Sequence, residues 1–340
     1  MAATLDTTQT ATPRATLVLE WENALDARDD WVRQALQRLE AEIERIAQHE
    51  PPPPILCIYD RDRATDAALI DFVRAVAPRL VGRGLLHPHA NPGLTYYELK
   101  NYGARLAETE FVVFIDSDTG PLPGWYDAIL APFADADVVG VGGMTVLGID
   151  NLMSKIFALT WFNPLAHEGE RAERRNYAQA NNIAVRRGFF LQHPFPKLAA
   201  FKQGQTVWQE DLRAAGCKIP ITAKARLVHA PPTAIDYWPK RAWQEGGDRD
   251  FTVARRYGSS RALRLLAVPA ATLRAMGRGI KRVFTLGHRV KLPLWGYLPA
   301  VGVVLAYQLC ACGGQLVGVV RYGRRREVPK RQRTAVGMGS

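Results

Sequence analysis

Residues 111–125 read FVVFIDSDTGPLPGW. Phe111 to Ile115 are β-branched or aromatic and predict a strand, which ends in Asp116-Ser117-Asp118. Two carboxylates two residues apart at a strand end can point the same way and hold one divalent cation, which then neutralises a diphosphate. An isolated Asp-x-Asp is common in surface turns. Here it follows a strongly apolar strand, where two charges would be costly to bury without a cation or hydrogen-bond donors. Pro121, Pro123 and Gly124 then predict a turn, with a helix starting near Trp125.

Outward from this strand, the first 250 residues alternate short apolar runs with amphipathic stretches, which predicts a layered α/β fold with a mainly parallel sheet. ATLVLEW (15–21) reads as the first strand. Trp31, Leu36, Leu39, Ile43 and Ile46 recur at helical spacing until Pro51 to Pro54 end the helix. ILCIYD (55–60) is the second strand, followed by a helix over 65–80, a short strand over 85–89, a helix over 95–107 and the strand over 111–116. DVVGVGGMTV and NNIAVRR supply further strands. Ligands of open α/β sheets bind beyond the C-terminal ends of the strands, so the polar residues there are the candidates.

KNYGARLAETEFVVFIDSDTGPLPGWYDAILAPF (100–133) resembles the central segment of family 2 glycosyltransferases, and the likeness runs from about residue 15 to about residue 250. The resemblance implies a GT-A fold with a Rossmann-like mixed sheet, a nucleotide-diphosphate sugar donor (UDP, GDP or dTDP) and Mn2+ or Mg2+ bridging the two phosphates. It makes Asp118 the direct metal ligand, with Asp116 sharing the cation and lying near the donor ribose or sugar. Lys100 falls where the family has a basic residue facing the nucleotide, and Asp60 where a carboxylate accepts a hydrogen bond from the base. Read alone, Lys100 is equally an exposed helix lysine and Asp60 a turn aspartate. Glu20, closing the first strand, joins the donor set.

Later segments extend the likeness. ARLVHAPP places His229 at a strand end, where the family carries a histidine that completes the metal or diphosphate site, a role that suits neutral imidazole. QANNIAVRR resembles the segment shaping the acceptor side, with Asn181 and Asn182 as polar contacts; a strand-end cap pair is the alternative. YWPKRAWQEGGDRD holds Lys240, Arg241 and Trp243 where the family has a flexible segment over the pyrophosphate, so Arg241 is assigned to the donor and Trp243 to the acceptor side. The Gln-x-x-Arg-Trp motif of processive polysaccharide synthases is absent, so repeated addition of sugars is not expected.

The pattern departs from the family at the catalytic base. Inverting members use the Asp of a Glu-Asp pair at the start of a helix that ends in glycine, and FKQGQTVWQEDLRAAGCKIPI holds a literal pair at Glu210-Asp211. The family spacing counted back from Gly216 falls instead on Gln205, with Gly204 as its partner. Trp208, Leu212 and Ala215 form the apolar face, leaving Glu210 one turn too far in and solvated. A glutamine cannot take a proton at neutral pH, so either Glu210 or Asp211 bends in, or the acceptor needs no base. A phosphate acceptor such as a polyprenyl phosphate is already anionic.

Composition assigns the rest of the chain. The 340 residues, 47% hydrophobic, are ample for a large core. Cys57, Cys217, Cys310 and Cys312 make no metal-ligand pattern and fit a reducing compartment. Residues 1–14 lack a basic start followed by an apolar run and read as a disordered leader rather than a secretory signal. The net charge of +11 is unevenly placed: from Phe251 onward there are 17 Lys/Arg against one acid, Glu327, whereas residues 1–250 hold 27 basic and 32 acidic side chains. A nucleic-acid groove would put its cations among the folded elements, so no nucleic acid is expected.

Leu292 to Val320 carries no charged side chain and is followed at once by RYGRRRE, which selects anionic membrane lipid as the partner, on the cytoplasmic face. Pro293, Pro299 and the glycines leave open whether this run spans the bilayer or re-enters it as a hairpin. Upstream, ALRLLAVPAATLRAMGRGIKRVF has the composition of a helix lying in an anionic interface; a solvated basic helix packed on the domain is the alternative. The expected organisation is therefore a leader (1–14), a catalytic domain (15–257), a separable helical membrane-associating segment (258–322) and a basic disordered tail (323–340). Two rival readings stand beside the transferase: a nucleotide-sugar-binding module without turnover, and a phosphatase of the haloacid-dehalogenase type, whose nucleophile loop also follows an apolar strand.

Overall fold

The computed structural model describes residues 12–160, 178–198, 203–231, 237–257 and 260–322. The expected leader lies outside them except for its last three residues, and the basic tail 323–340 lies outside them entirely. The chain runs β1 (Ala15–Glu20), α1 (Glu22–Asp26), α2 (Asp29–Ile46), β2 (Ile55–Tyr59), α3 (Asp66–Val76), α4 (Pro78–Gly82), β3 (Leu86–Ala90), α5 (Tyr96–Leu106) and β4 (Phe111–Asp116). It continues through β5 (Thr119–Pro121), α6 (Trp125–Leu130), β6 (Gly140–Leu147), α7 (Leu152–Thr160), β7 (Asn182–Arg186), α8 (Arg187–Gln192), α9 (Gly204–Ala214) and β8 (Ile221–His229). Three long helices close it: α10 (Tyr237–Tyr257), α11 (Arg261–Leu286) and α12 (Tyr297–Tyr322).

The strands form one sheet in the order β3-β2-β1-β4-β7-β6-β8-β5. The first four are parallel, as expected, with Glu20 in register with Asp116. The second half is mixed: β7 is antiparallel to both β4 and β6, β8 is parallel to β6, and β5 is antiparallel to β8. Alternation along the parallel strands divides the core into two layers. Leu17, Leu19, Cys57, Val113 and Ile115 pack with Leu36, Leu39 and Ile43 of α2 and with α6. Val18, Ile58, Val112 and Phe114 face Leu99 of α5, Phe190 of α8 and Trp208 of α9. The helix expected over 65–80 is two helices, because Pro78 cannot continue α3 and starts α4 instead.

Two local devices set the geometry of the sheet edge. A Cβ on Gly103 would overlap the Val18 side chain, so glycine lets α5 lie close on β1. Buried Glu42 accepts hydrogen bonds from the amides of Gly124 and Tyr126 (3.0 and 3.1 Å), anchoring the positive end of α6.

The C-terminal helices pack back across the expected boundary near residue 257. α12 lies along α10, inside the expected catalytic domain. A Cβ on Gly246 would overlap the Ala311 carbonyl, and one on Gly314 would overlap the Trp243 carbonyl. Tyr307 Oη donates to Glu245 (2.8 Å) and Arg249 to Gln308 (2.9 Å) across the same seam. Ile156 and Phe157 of α7 pack with Val283 of α11 and with Ala300 and Val304 of α12. α12 is one continuous helix, with Pro299 in its first turn, where no intrahelical N–H is needed.

Candidate donor and metal site

β1, β2 and β4 end on one edge of the sheet, and the antiparallel start of β7 and the end of β8 meet it there. Asp116 closes β4 and is nearly fully buried. Lys100 Nζ, itself completely buried, donates to Asp116 Oδ1 at 2.6 Å. Tyr96 Oη donates to the same carboxylate at 2.8 Å and Asn23 Nδ2 at 2.9 Å. The Lys100 ammonium also sits 4.6 Å from the centre of the Tyr96 ring. Lys100 is therefore not an exposed helix lysine. Both oxygens of Asp116 accept from protein donors: Lys100, Tyr96 and Asn23.

Asp118, two residues on, is placed differently. Its backbone carbonyl accepts from Ala230 N (2.8 Å), and Thr119 pairs with His229 between β5 and β8. This registry brings His229 Nε2 to 3.5 Å from Asp118 Oδ2. His229 Nδ1 lies 2.6 Å from the carbonyl of Ala230, which can only accept, so Nδ1 carries the proton. In the neutral ring the lone pair is then on Nε2, directed at the carboxylate. A histidine that ligates a metal commonly donates its other N–H to a backbone carbonyl.

The electrostatics fit a cation. Glu20, Asp116 and Asp118 meet one buried ammonium, so negative charge is in excess at low dielectric. Glu20 is fully buried; one oxygen accepts from Glu22 N (2.8 Å) and Oε2 has no hydrogen-bond partner among the described residues. Burial, followed by the charge of Asp116, pushes its carboxyl well above the usual range. Burial beside Asp116 likewise pushes the Tyr96 phenol up.

Asp60 stands at the end of β2, half-buried. Its backbone N–H donates to Glu22 (2.7 Å) and its side chain accepts from Asp62 N (3.0 Å). Asn181 accepts from Thr145 Oγ1 (3.1 Å). Asn182 is fully buried, accepting from Trp125 Nε1 (2.9 Å) and donating to the Ala225 carbonyl (3.1 Å). Its amide braces α6 against β7 and β8. Trp243 is half-exposed and packs on Gly313 of α12. Arg241 pairs with Glu245 (3.0 Å), the residue that Tyr307 also engages, and its charge reaches Tyr97.

At the expected base position, Gln205 is the second residue of α9 and its side-chain carbonyl accepts from Ala180 N. One turn on, Gln209 clamps Ala178, accepting from its N–H and donating to its carbonyl, both at 2.7 Å. These two glutamines hold the strand leading into Asn181. Glu210 is half-buried and Asp211 exposed, more than a turn past Gln205. Ala215, expected on the apolar face, is exposed, while Val207 joins Trp208 and Leu212 inside.

Tyr96 and Asn23 escaped the sequence reading, as did Glu22, Thr145 and Gln209. Tyr96 had a signal, since it lies four residues before Lys100 on the same helix face.

No protein-family model matches the chain, and no curated protein matches it in sequence. Among solved structures, it is similar to the mannosyltransferase PcManGT from Pyrobaculum calidifontis in complex with GDP-Man and Mn2+: 15% identity, TM-score 0.51, covering 92% of this chain and 88% of that one. Glucosyl-3-phosphoglycerate synthase from Mycobacterium tuberculosis, in complex with phosphoglyceric acid, matches at 15% identity and TM-score 0.45, covering 71% of this chain and 79% of its own. The chain has the GT-A fold of nucleotide-sugar glycosyltransferases.

Proposed function

We propose that this protein moves a sugar from a nucleotide-diphosphate donor to an acceptor at the cytoplasmic face of a membrane, with inversion at the anomeric carbon. The observation that carries the reading is the approach of His229 Nε2 to Asp118 Oδ2, beside a carboxylate already held by Lys100. Asp118 and His229 would hold Mn2+ or Mg2+, and the bound ion would supply charge neutralisation at the diphosphate. A likeness in fold to a mannosyltransferase solved with GDP-Man and Mn2+ supports this choice of donor and metal.

The residues of the chain then divide the remaining work. Asp60 accepts from the nucleotide base, Asp116 and Lys100 fix the edge against which the nucleotide lies, and Arg241 meets the diphosphate. Asn181, held by Thr145, lines the acceptor side. In the transfer, an acceptor oxygen forms a bond to the anomeric carbon as the bond to the diphosphate oxygen breaks, and that oxygen leaves with the electron pair. Gln205 takes no proton, so the acceptor oxygen that suits this site is already anionic, as in a phosphate group. A lipid phosphate meets both requirements, charge and location at the membrane.

Calorimetric titration of GDP-, UDP- and dTDP-sugars into the full chain with Mn2+ tests the reading. Binding that requires the metal and disappears in Asp118→Ala is expected. Equal affinity in wild type and Asp118→Ala would overturn the site. The engagement of Gln205 with Ala180 favours one second reading, a donor-binding module without turnover. That reading predicts metal-dependent binding but no sugar release with any phosphate acceptor.

A further inference from the structure

The apolar helix α12 is long enough to cross a bilayer: Leu294–Val320 has a mean hydropathy of 1.8. Its surroundings argue against crossing. With about 100° between successive residues, Leu298, Leu305, Leu309, Leu316 and Val320 fall within one arc of about 60°, and all five are exposed. Tyr307, Ala311, Gly314 and Gly318 fall on the opposite side and are buried against α10. The stretch of α10 that they touch carries Arg241, Glu245, Arg249 and Asp250, with Asp250 also bound to Arg264 of α11 (2.8 Å). If α12 crossed, this charged helix would have to enter the hydrocarbon with it, and charged side chains at that depth are strongly disfavoured. A helix fixed along one side and bare along the other belongs on a surface.

The neighbouring helix repeats the pattern. On α11, Leu263, Leu266, Leu273 and Phe284 share an arc of about 80° and are each at least 60% exposed. The two helices meet where Val304 fills the space at Gly279 and where Phe284 stacks on Tyr297 at 5.8 Å. Between them the connection presents Leu294 and Trp295, 91% and 68% exposed. Arg274, Arg278, Lys281, Arg289 and Lys291 are all exposed around these residues, and no acid occurs from Phe251 until Glu327. Leucine stripes bordered by cations alone complement an anionic bilayer surface, apolar below and negative at the headgroups.

We propose that α11 and α12 form an in-plane docking face for an anionic lipid bilayer, inserted into one leaflet, with α12 held on α10 rather than crossing. The inference deepens the membrane-proximal part of the proposed function. Its tests use no nucleotide sugar, so failure here leaves the donor site standing and failure of the donor site leaves the docking face standing.

The first test is co-sedimentation of the full chain with liposomes of phosphatidylcholine alone or mixed with phosphatidylglycerol. Strong binding to the mixed vesicles is expected, weakened but not abolished by high salt. Leu266→Glu/Leu273→Glu and Leu298→Glu/Leu309→Glu should each reduce the bound fraction at least tenfold while thermal melting stays unchanged. Wild-type protein that ignores the mixed vesicles overturns the proposal. So does light scattering that finds a lipid-free dimer dispersed by Leu298→Glu/Leu309→Glu, because the stripe then serves a second copy. The second test adds epitope tags to both termini and treats sealed membrane vesicles with protease. Both tags on the same side are expected, and tags on opposite sides mean that α12 crosses.

Discussion

Gly204 lies against the ring of Tyr97 so closely that a Cβ there would come within 2.6 Å of Cδ2. The next residue, Gln205, uses its side-chain carbonyl to accept from Ala180 N. A Glu-Asp pair in this register would drive its first side chain into the ring, so the departure from the family pattern at Gly204 and Gln205 is one packed solution.

Gly204→Ala is therefore expected to destabilise the fold by about 1–3 kcal/mol, the usual effect of overpacking. Gln205→Glu should melt close to wild type, because a carboxylate still accepts from Ala180 N, while turnover changes strongly. Glu210→Ala and Asp211→Ala should leave both quantities near wild type. Differential scanning fluorimetry with a sugar-release assay checks the ranking, and an inactive Asp211→Ala beside an indifferent Gln205→Glu would reverse it.

The two aspartates of the β4 end should separate cleanly. Asp116→Ala leaves the buried Lys100 ammonium unpaired and is expected to cost about 3–5 kcal/mol. Asp118→Ala removes a charge that repels Glu20, so without metal it should be no less stable than wild type, yet it should lose Mn2+-dependent donor binding. Urea melts with and without Mn2+ measure both. In a double-mutant cycle, Lys100→Met should recover part of the loss from Asp116→Ala.

Tyr307 ties α12 to Glu245, which pairs with Arg241, the residue proposed to meet the diphosphate. Tyr307→Phe should cost about 1 kcal/mol and weaken donor affinity several-fold by leaving Glu245 and Arg241 less well placed. Calorimetry on the folded variant is the check. An unchanged donor Kd would mean that the seam ends at Glu245.

Helix α5, which presents both Tyr96 and Lys100, starts with a capping box in which Glu98 accepts from Thr95 N and Oγ1 (3.1 and 2.7 Å). The Lys197 ammonium, then Thr95, hold the Glu98 carboxyl down at about 2. A carboxyl lowered on folding stabilises above its unfolded value, about 4.3, and that stabilisation is lost as pH falls through about 2. Glu98→Gln keeps an acceptor for Thr95, so its cost at neutral pH is the lost charge and should stay below about 1 kcal/mol because Lys197 is exposed. The gap in melting temperature between wild type and variant should close as the pH is lowered from 4 towards 2.

The strands and helices around β4 were legible because apolar alternation and proline positions are local signals. Lys100, Asp118 and His229 could be named because each stands at a place set by its own short segment. What the segments did not carry was pairing. Nothing in FVVFID or NNIAVRR says that β7 runs against β4, yet that reversal puts Asn182 beside Ile115 and buries its amide on Trp125. Nor does the segment around Asp116 show its three donors, Asn23, Tyr96 and Lys100, which are brought together only in the folded chain. Hydropathy marks α12 as apolar, whereas its contact with α10 runs over small residues, Gly246, Ala311, Gly314 and Gly318, whose value is contact rather than polarity.

The seam between α10 and α12 also fixes the order in which the molecule can be finished. During synthesis α10 leaves the ribosome with its glycine face bare, and it stays bare until the chain has been read as far as Gly318. Because α12 follows both α10 and α11 in the chain, the groove that Gly246 leaves on α10 is filled only by a helix made after them, so the packing of α10 is completed from outside its own segment.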